Sequence, residues 1–147
     1  MNRINLIALG VRDMAKALSF YRALGFKTYE TQANPPIVFF DNAGTKLELF
    51  PIDELTRDIY GDDSFDINDG FQRFPGITLA INMKTKDEVD TFFDKVRQLG
   101  GKIVKEAEFV FWGGYSGYFQ DLDGYYWEVA YADSWKFDDN DMLIIEP

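Results

Sequence analysis

Apolar and polar positions along this chain change period in an order that occurs twice. Residues 4–11 form a nearly continuous apolar run, suited to a buried strand. Asp13 stands where a helix N-cap is needed, and Met14, Leu18, Tyr21 and Leu24 then recur at helical spacing until Gly25. Residues 26–31 read as a second strand, Asn34-Pro35-Pro36 breaks the chain, residues 37–40 read as a third strand, and residues 45–50 as a fourth after a turn at 41–44. The pattern restarts with a strand over residues 77–83. Thr85-Lys86-Asp87-Glu88 is a capping box, Val89, Phe92, Phe93, Val96 and Leu99 form one helix face, and Gly100-Gly101 ends it. Residues 102–105 and 109–112 read as extended pieces, Gly113-Gly114 as a break, and residues 115–120 with 125–131 as a closing hairpin. Each half is thus β-α-β-β-β.

The two halves also match residue by residue. Ala8 falls on Ala80 at an offset of 72, Leu24-Gly25-Phe26-Lys27 on Leu99-Gly100-Gly101-Lys102 at 75, and Asp41, Gly44 and Glu48 on Asp121, Gly124 and Glu128 at 80. A drifting offset is what loop insertions leave after an internal duplication. In each copy the aspartate is expected to bond its own backbone and the glycine to supply a positive φ. The fold class that follows is α+β: two tandem βαβββ modules whose sheets pair to form a cleft within a single domain, 1–147. Module 1 covers about residues 3–51, a connector 52–75, module 2 residues 76–131 and an acidic tail 132–147. Strand alternation places Glu48 with Lys46 and Phe50 on one face and Leu47 and Leu49 on the other, against the helix. The same parity groups Glu128 with Tyr126 and Ala130, with Trp127, Val129 and Tyr131 behind. A carboxylate from each copy is therefore expected to face the cleft.

Composition narrows the chemistry. The 147 residues are 46% apolar and 17% aromatic, which fits a folded globule, and no apolar run is long enough to span a membrane. The N-terminal stretch is too short and too soon charged for a signal peptide, so a cytoplasmic protein is expected. With no cysteine and no histidine, disulfides, thiolate nucleophiles, imidazole ligands and histidine-based triads are excluded. The net charge of −10 argues against nucleic acid as a partner. Most of it lies outside the repeats: residues 51–75 carry seven acidic and two basic side chains, and residues 131–147 five and one. The connector, with Tyr60, Phe65, Phe71 and Phe74, is expected to pack down as a lid or wall after a short helix at 52–59, and Met142–Ile145 to dock on the domain or on a second subunit.

Leu9-Gly10-Val11-Arg12-Asp13 before the first helix, Phe20-Tyr21-Arg22, Leu24-Gly25 and Asp121-Leu122-Asp123-Gly124-Tyr125 ahead of Glu128 resemble the vicinal-oxygen-chelate superfamily. That is the fold of glyoxalases, extradiol dioxygenases, fosfomycin-resistance proteins and bleomycin-resistance proteins. The resemblance implies a homodimer and, for metal-dependent members, a divalent ion held by one residue on each of four strands. Glu48 and Glu128 match two of those positions. The other two, commonly histidine, fall on Leu6 and Thr78, which lack the imidazole that zinc, nickel or iron favours. No cofactor is therefore expected, and a metal, if bound, would rest on Glu48 and Glu128.

Glu48 and Glu128 are the candidate acid/base or cation-binding pair, with Tyr126, Thr78 or Lys46 as alternative hydrogen-bond partners that would make them purely structural. The run Phe109–Phe119 sets six aromatics among glycines 113, 114 and 117, which let the chain bend close to a ligand. Trp112, Tyr115 and Tyr118 are the candidate ligand contacts there, together with Leu6, Thr78 and Tyr126; Phe109, Phe111 and Phe119 read as core. The favoured function is metal-free binding of a small aromatic or cationic molecule, as in sequestration of an antibiotic. The alternatives are a metal-dependent lyase, isomerase or dioxygenase of the glyoxalase type, and a metal-free acid/base enzyme. Neither nucleic acid nor membrane is an expected partner.

Overall fold

Asp13 and Thr85 start the two helices on which the halves are built. Asp13 accepts the Lys16 N–H at 3.0 Å and opens α1 (Met14–Leu24). The chain then passes through α2 (Ile52–Tyr60). Thr85 opens α3 (Lys86–Gln98) with a complete capping box, its hydroxyl accepting from the Glu88 N–H and Glu88 reaching back to the Thr85 N–H. Both long helices end alike. The Phe26 N–H returns to the Tyr21 carbonyl and the Gly101 N–H to the Val96 carbonyl, each at 3.0 Å, across a glycine of positive φ.

The structure is a computed structural model describing residues 2–60, 75 and 77–145. Two compact units, Met1–Pro75 and Gly76–Pro147, divide where the second copy of the sequence pattern begins. In the first, β1 (Leu6–Val11), β2 (Val38–Phe39) and β3 (Lys46–Pro51) form a sheet of order β1-β3-β2, with β1 and β3 parallel. In the second, β4 (Leu79–Met83), β5 (Lys102–Phe109), β6 (Tyr115–Gln120) and β7 (Tyr126–Tyr131) are ordered β4-β7-β6-β5, with β4 and β7 parallel. No helix among the described residues is long and apolar enough to cross a membrane.

Each unit has an aromatic core on the helix side of its sheet. Tyr21 packs edge-on to Phe20 and Phe26 and tilted against Phe40, with Val38, Leu47 and Leu49 buried beneath. In the second unit Phe119 lies flat on Trp127, 6.2 Å between centroids, and meets the Phe93 ring of α3 edge-on.

Three local expectations change. Residues 26–31 make no ladder: the Thr28 hydroxyl takes the Phe39 carbonyl at 2.7 Å, and Glu30 caps the amides of Thr31 and Gln32. Side chains there satisfy groups that a strand partner would otherwise pair. Residues 109–112 are not a separate extended piece, because β5 runs unbroken to Phe109 and residues 110–114 turn directly into β6. In the turns, Asp121 does bond its own backbone, accepting from the Asp123 and Tyr125 amides. In the first copy Asn42 does this instead, accepting the Leu47 N–H, while Asp41 points to Tyr29 and Lys46.

The tail folds back on itself, bridging Phe137 to Leu143, and Lys84 ties it down through an ion pair to Asp141. Of the four apolar residues expected to dock, Leu143 is half-buried while Met142, Ile144 and Ile145 stay exposed. The aromatics at 65, 71 and 74, expected to pack as a lid, lie outside the described residues, as does the Tyr60 side chain.

Gly117 shows how tightly β5 and β6 meet. A Cβ there would stand 2.7 Å from the Lys105 carbonyl oxygen and 2.8 Å from the Ala107 nitrogen, where β5 bulges. This glycine admits neighbouring backbone rather than a ligand. Gly117→Ala is expected to destabilise the protein by about 1–3 kcal/mol in chemical denaturation, because rigid backbone cannot yield.

Candidate functional site

The strand registers give both units the same cross-strand row. Glu48 in β3 faces Ala8 on β1 and Phe39 on β2. Glu128 in β7 faces Ala80 on β4 and Tyr118 on β6. Directly opposed residues share a sheet face, so each row reads alanine, glutamate, aromatic. Leu47, Leu49, Trp127 and Val129 point the other way and are buried, as alternation requires.

The rows differ by one hydroxyl. The Tyr118 phenol donates to Glu128 Oε1 at 3.2 Å. Burial, followed by the Glu128 charge and this bond, raises the Tyr118 pKa, so the phenol stays protonated and remains a donor. Phe39 offers Glu48 nothing equivalent. Glu48 is only 7% exposed, and among the described residues no hydrogen bond or ion pair reaches its carboxylate. Burial alone pushes its pKa up. Lys46, one of the structural partners expected for the glutamates, turns instead to Asp41 and the Asn42 carbonyl, and the bond that Glu128 accepts from Tyr118 is not among those expected.

Around Glu48 the face is part wall and part open surface. A Cβ at Gly10 would lie 2.3 Å from Ile52 Cδ1 and 3.3 Å from Leu55 Cδ2. Gly10 shares parity with Leu6 and Ala8, so α2 covers the Gly10 end of the glutamate-bearing face. Leu6 is 41% and Phe39 52% exposed, and Ala8 is exposed between α2 and Leu6.

The other candidates separate. Tyr126 is half-buried, opposite Gln120 and on the Glu128 face. Thr78 is exposed just ahead of β4, and Leu6 lies opposite Lys46. Tyr115 stands on the helix side of β6, away from Tyr118: its hydroxyl donates to Asp90 Oδ1 of α3 at 2.6 Å, and the Lys86 ammonium sits 4.6 Å over its ring. The bond to Asp90 is the main cause that raises its pKa. Trp112 lies in the β5–β6 turn, stacked on Trp135 at 5.8 Å, and its ring covers Gly114 so closely that no Cβ fits there. Phe119 is core as expected, but Phe109 and Phe111 are exposed, because they flank a hairpin tip rather than a sheet interior. Sequence reading missed Phe39, Trp135 and Asp90; only the register and the fold back of the tail bring them to their partners.

The donor set fits a metal poorly. Among the described residues no three histidine, cysteine, aspartate or glutamate side chains gather to hold an ion. The residues opposite the two glutamates are alanines, and Leu6 and Thr78 contribute at most a neutral hydroxyl.

The sequence profile of the Glyoxalase/Bleomycin resistance protein/Dioxygenase superfamily matches residues 3–129. No curated protein matches the sequence significantly. Among solved structures, a glyoxalase-related enzyme from Fulvimarina pelagi is similar over 100% of both chains, at 24% identity and TM-score 0.83. A family enzyme from Burkholderia phytofirmans matches at 16% identity and TM-score 0.70, over 88% of this chain and 98% of its own. A lactoylglutathione lyase from Agrobacterium tumefaciens matches at 23% identity and TM-score 0.60, over 93% and 98%. At these identities the likeness speaks to fold alone.

A raised carboxyl pKa in the folded state means that stability is full below the ordinary carboxylate range and falls as pH rises through the raised value. Glu48→Gln removes that loss. The variant is expected to melt above the wild type at about pH 7 and to converge with it near about pH 4, measured as thermal midpoints across pH.

Proposed function

The chain belongs to the Glyoxalase/Bleomycin resistance protein/Dioxygenase superfamily, and we propose that it binds a small aromatic or cationic organic molecule without a metal. The observation that carries this reading is the repeated alanine–glutamate–aromatic row. A metal ion needs several charged or imidazole donors converging within bonding distance. Here each glutamate has an alanine on one side and a ring on the other. Such a row suits an organic ligand, whose apolar body lies on Leu6, Phe39 or Tyr126 while a polar group meets a carboxylate.

Tyr118 and Glu128 form a donor–acceptor pair that can orient a polar ligand group. Trp112 and Tyr115 hold no place in this reading, since Trp112 lies in the β5–β6 turn and Tyr115 on the helix side of β6.

The test is calorimetric titration of the purified protein with bleomycin and with planar aromatic cations. At least one of these is expected to bind more tightly than about 1 mM; a flat response to all of them would sink the binding reading. In parallel, Mn²⁺, Ni²⁺ and Zn²⁺ are expected to leave the thermal midpoint unchanged. A saturable metal-dependent shift, abolished in Glu48→Gln and Glu128→Gln, would favour a metal-dependent lyase, isomerase or dioxygenase instead.

A further inference from the structure

Internal duplication makes each unit a control for the other. In the second unit the glutamate of the row is answered by Tyr118. In the first, the aromatic at the matching place is Phe39, which has the ring without the donor. The unanswered carboxylate is also the more buried one: Glu48 is 7% exposed, whereas Glu128 is half-buried. Among the described residues no buried side-chain oxygen lacks a hydrogen bond, so the Glu48 oxygens reach solvent, where a donor or opposite charge brought by a ligand can meet them. Its surroundings are those of a small receptor. Ala8 leaves an uncovered floor, Phe39 offers a half-exposed ring, and α2 closes the Gly10 end.

Resting on the binding reading above, we infer that Ala8, Glu48 and Phe39 form the subsite for the ligand's positively charged nitrogen. The ligand class is thereby narrowed to hydrophobic organic ammonium compounds, with Glu48 as counter-charge and the Phe39 ring as a cation–π neighbour. Glu128 is not equivalent, because Tyr118 already occupies one of its oxygens. Lys46, on the same face as Glu48, is held by Asp41 at 3.2 Å and by the Asn42 carbonyl, so it does not compete for the carboxylate.

The experiment compares two probes of equal shape, naphthylmethylammonium and its neutral alcohol, by calorimetry on the full chain. The wild type is expected to bind the ammonium about tenfold more tightly than the alcohol. Glu48→Gln and Phe39→Tyr are each expected to erase that preference, the second by giving Glu48 the phenol that Glu128 already has. Phe39→Tyr adds a single oxygen to a half-exposed ring, so it tests the subsite without altering the carboxylate itself. Tyr118→Phe is expected to keep the preference. Equal binding of both probes by the wild type overturns the subsite and leaves the binding reading standing, as does a preference that survives Glu48→Gln and Phe39→Tyr or disappears in Tyr118→Phe. Binding of neither probe overturns the subsite, and a flat response to bleomycin and the planar aromatic cations as well overturns the binding reading with it.

Discussion

Parallel pairing of the first and last strands of each unit is the constraint on which the rest depends. β1 pairs with β3 and β4 with β7, each across a module that contains one long helix. Such a crossover puts the long helix on one face of the sheet and away from the other, whose Gly10 end α2 covers in the first unit. Parity then has no freedom: the leucines of β3, and Trp127 and Val129 of β7, turn to the helix, and the glutamates turn away from it. The register further dictates that alanines stand beside them. A carboxylate in the middle of a sheet, flanked by a methyl group and a ring, is a consequence of that one pairing.

Duplication has kept this geometry while letting its chemistry diverge. The capped starts of α1 and α3, the glycine stops behind them and the alanine–glutamate pairing recur in both units. What differs is the third member of the row. A phenol at 118 provides a donor and keeps Glu128 in a hydrogen bond; a phenyl at 39 leaves Glu48 to be stabilised from elsewhere. Burial works against the Glu48 charge, and among the described residues no side chain offsets it. A difference of one oxygen atom thus separates a hydrogen-bonded carboxylate from one that no described side chain meets.

Much of the remaining polar chemistry fixes elements to one another. Asp90 and Lys86 hold Tyr115 from α3, Asn42 and Asp121 build the two turns, and Lys84 ties the tail beside the start of α3. The Asp121 turn joins β6 to β7 and the Asp90 bond anchors β6 to α3, and the Tyr118–Glu128 bond relies on that register. Trp112 and Trp135 stack at the far side of the same hairpin, where a glycine at 114 makes room for the ring. Aromatic residues near a glycine-rich turn therefore answer here to packing, and their proximity in sequence to Tyr118 does not bring them to its face.

The sequence by itself determined the repeat, the helices with their caps, and the faces on which Glu48 and Glu128 lie. Those features depend on local periodicity and on short-range hydrogen bonding, which single residues such as Thr85, Glu88 and Gly25 announce. Only the tertiary structure decided which residues stand opposite the glutamates. Ala8 is far from Glu48 in the chain and meets it through parallel pairing across the helix crossover, while Phe39 meets it through the register of the hairpin around residues 41–44. The same holds for Tyr115, whose ring could have faced either side of β6 until its pairing with β7 and its bond to Asp90 fixed it. It holds also for residues 26–31, where side-chain hydrogen bonds displaced a ladder that β propensity favoured. The sheet's pairing, a non-local choice, turned two matching glutamates into chemically different groups.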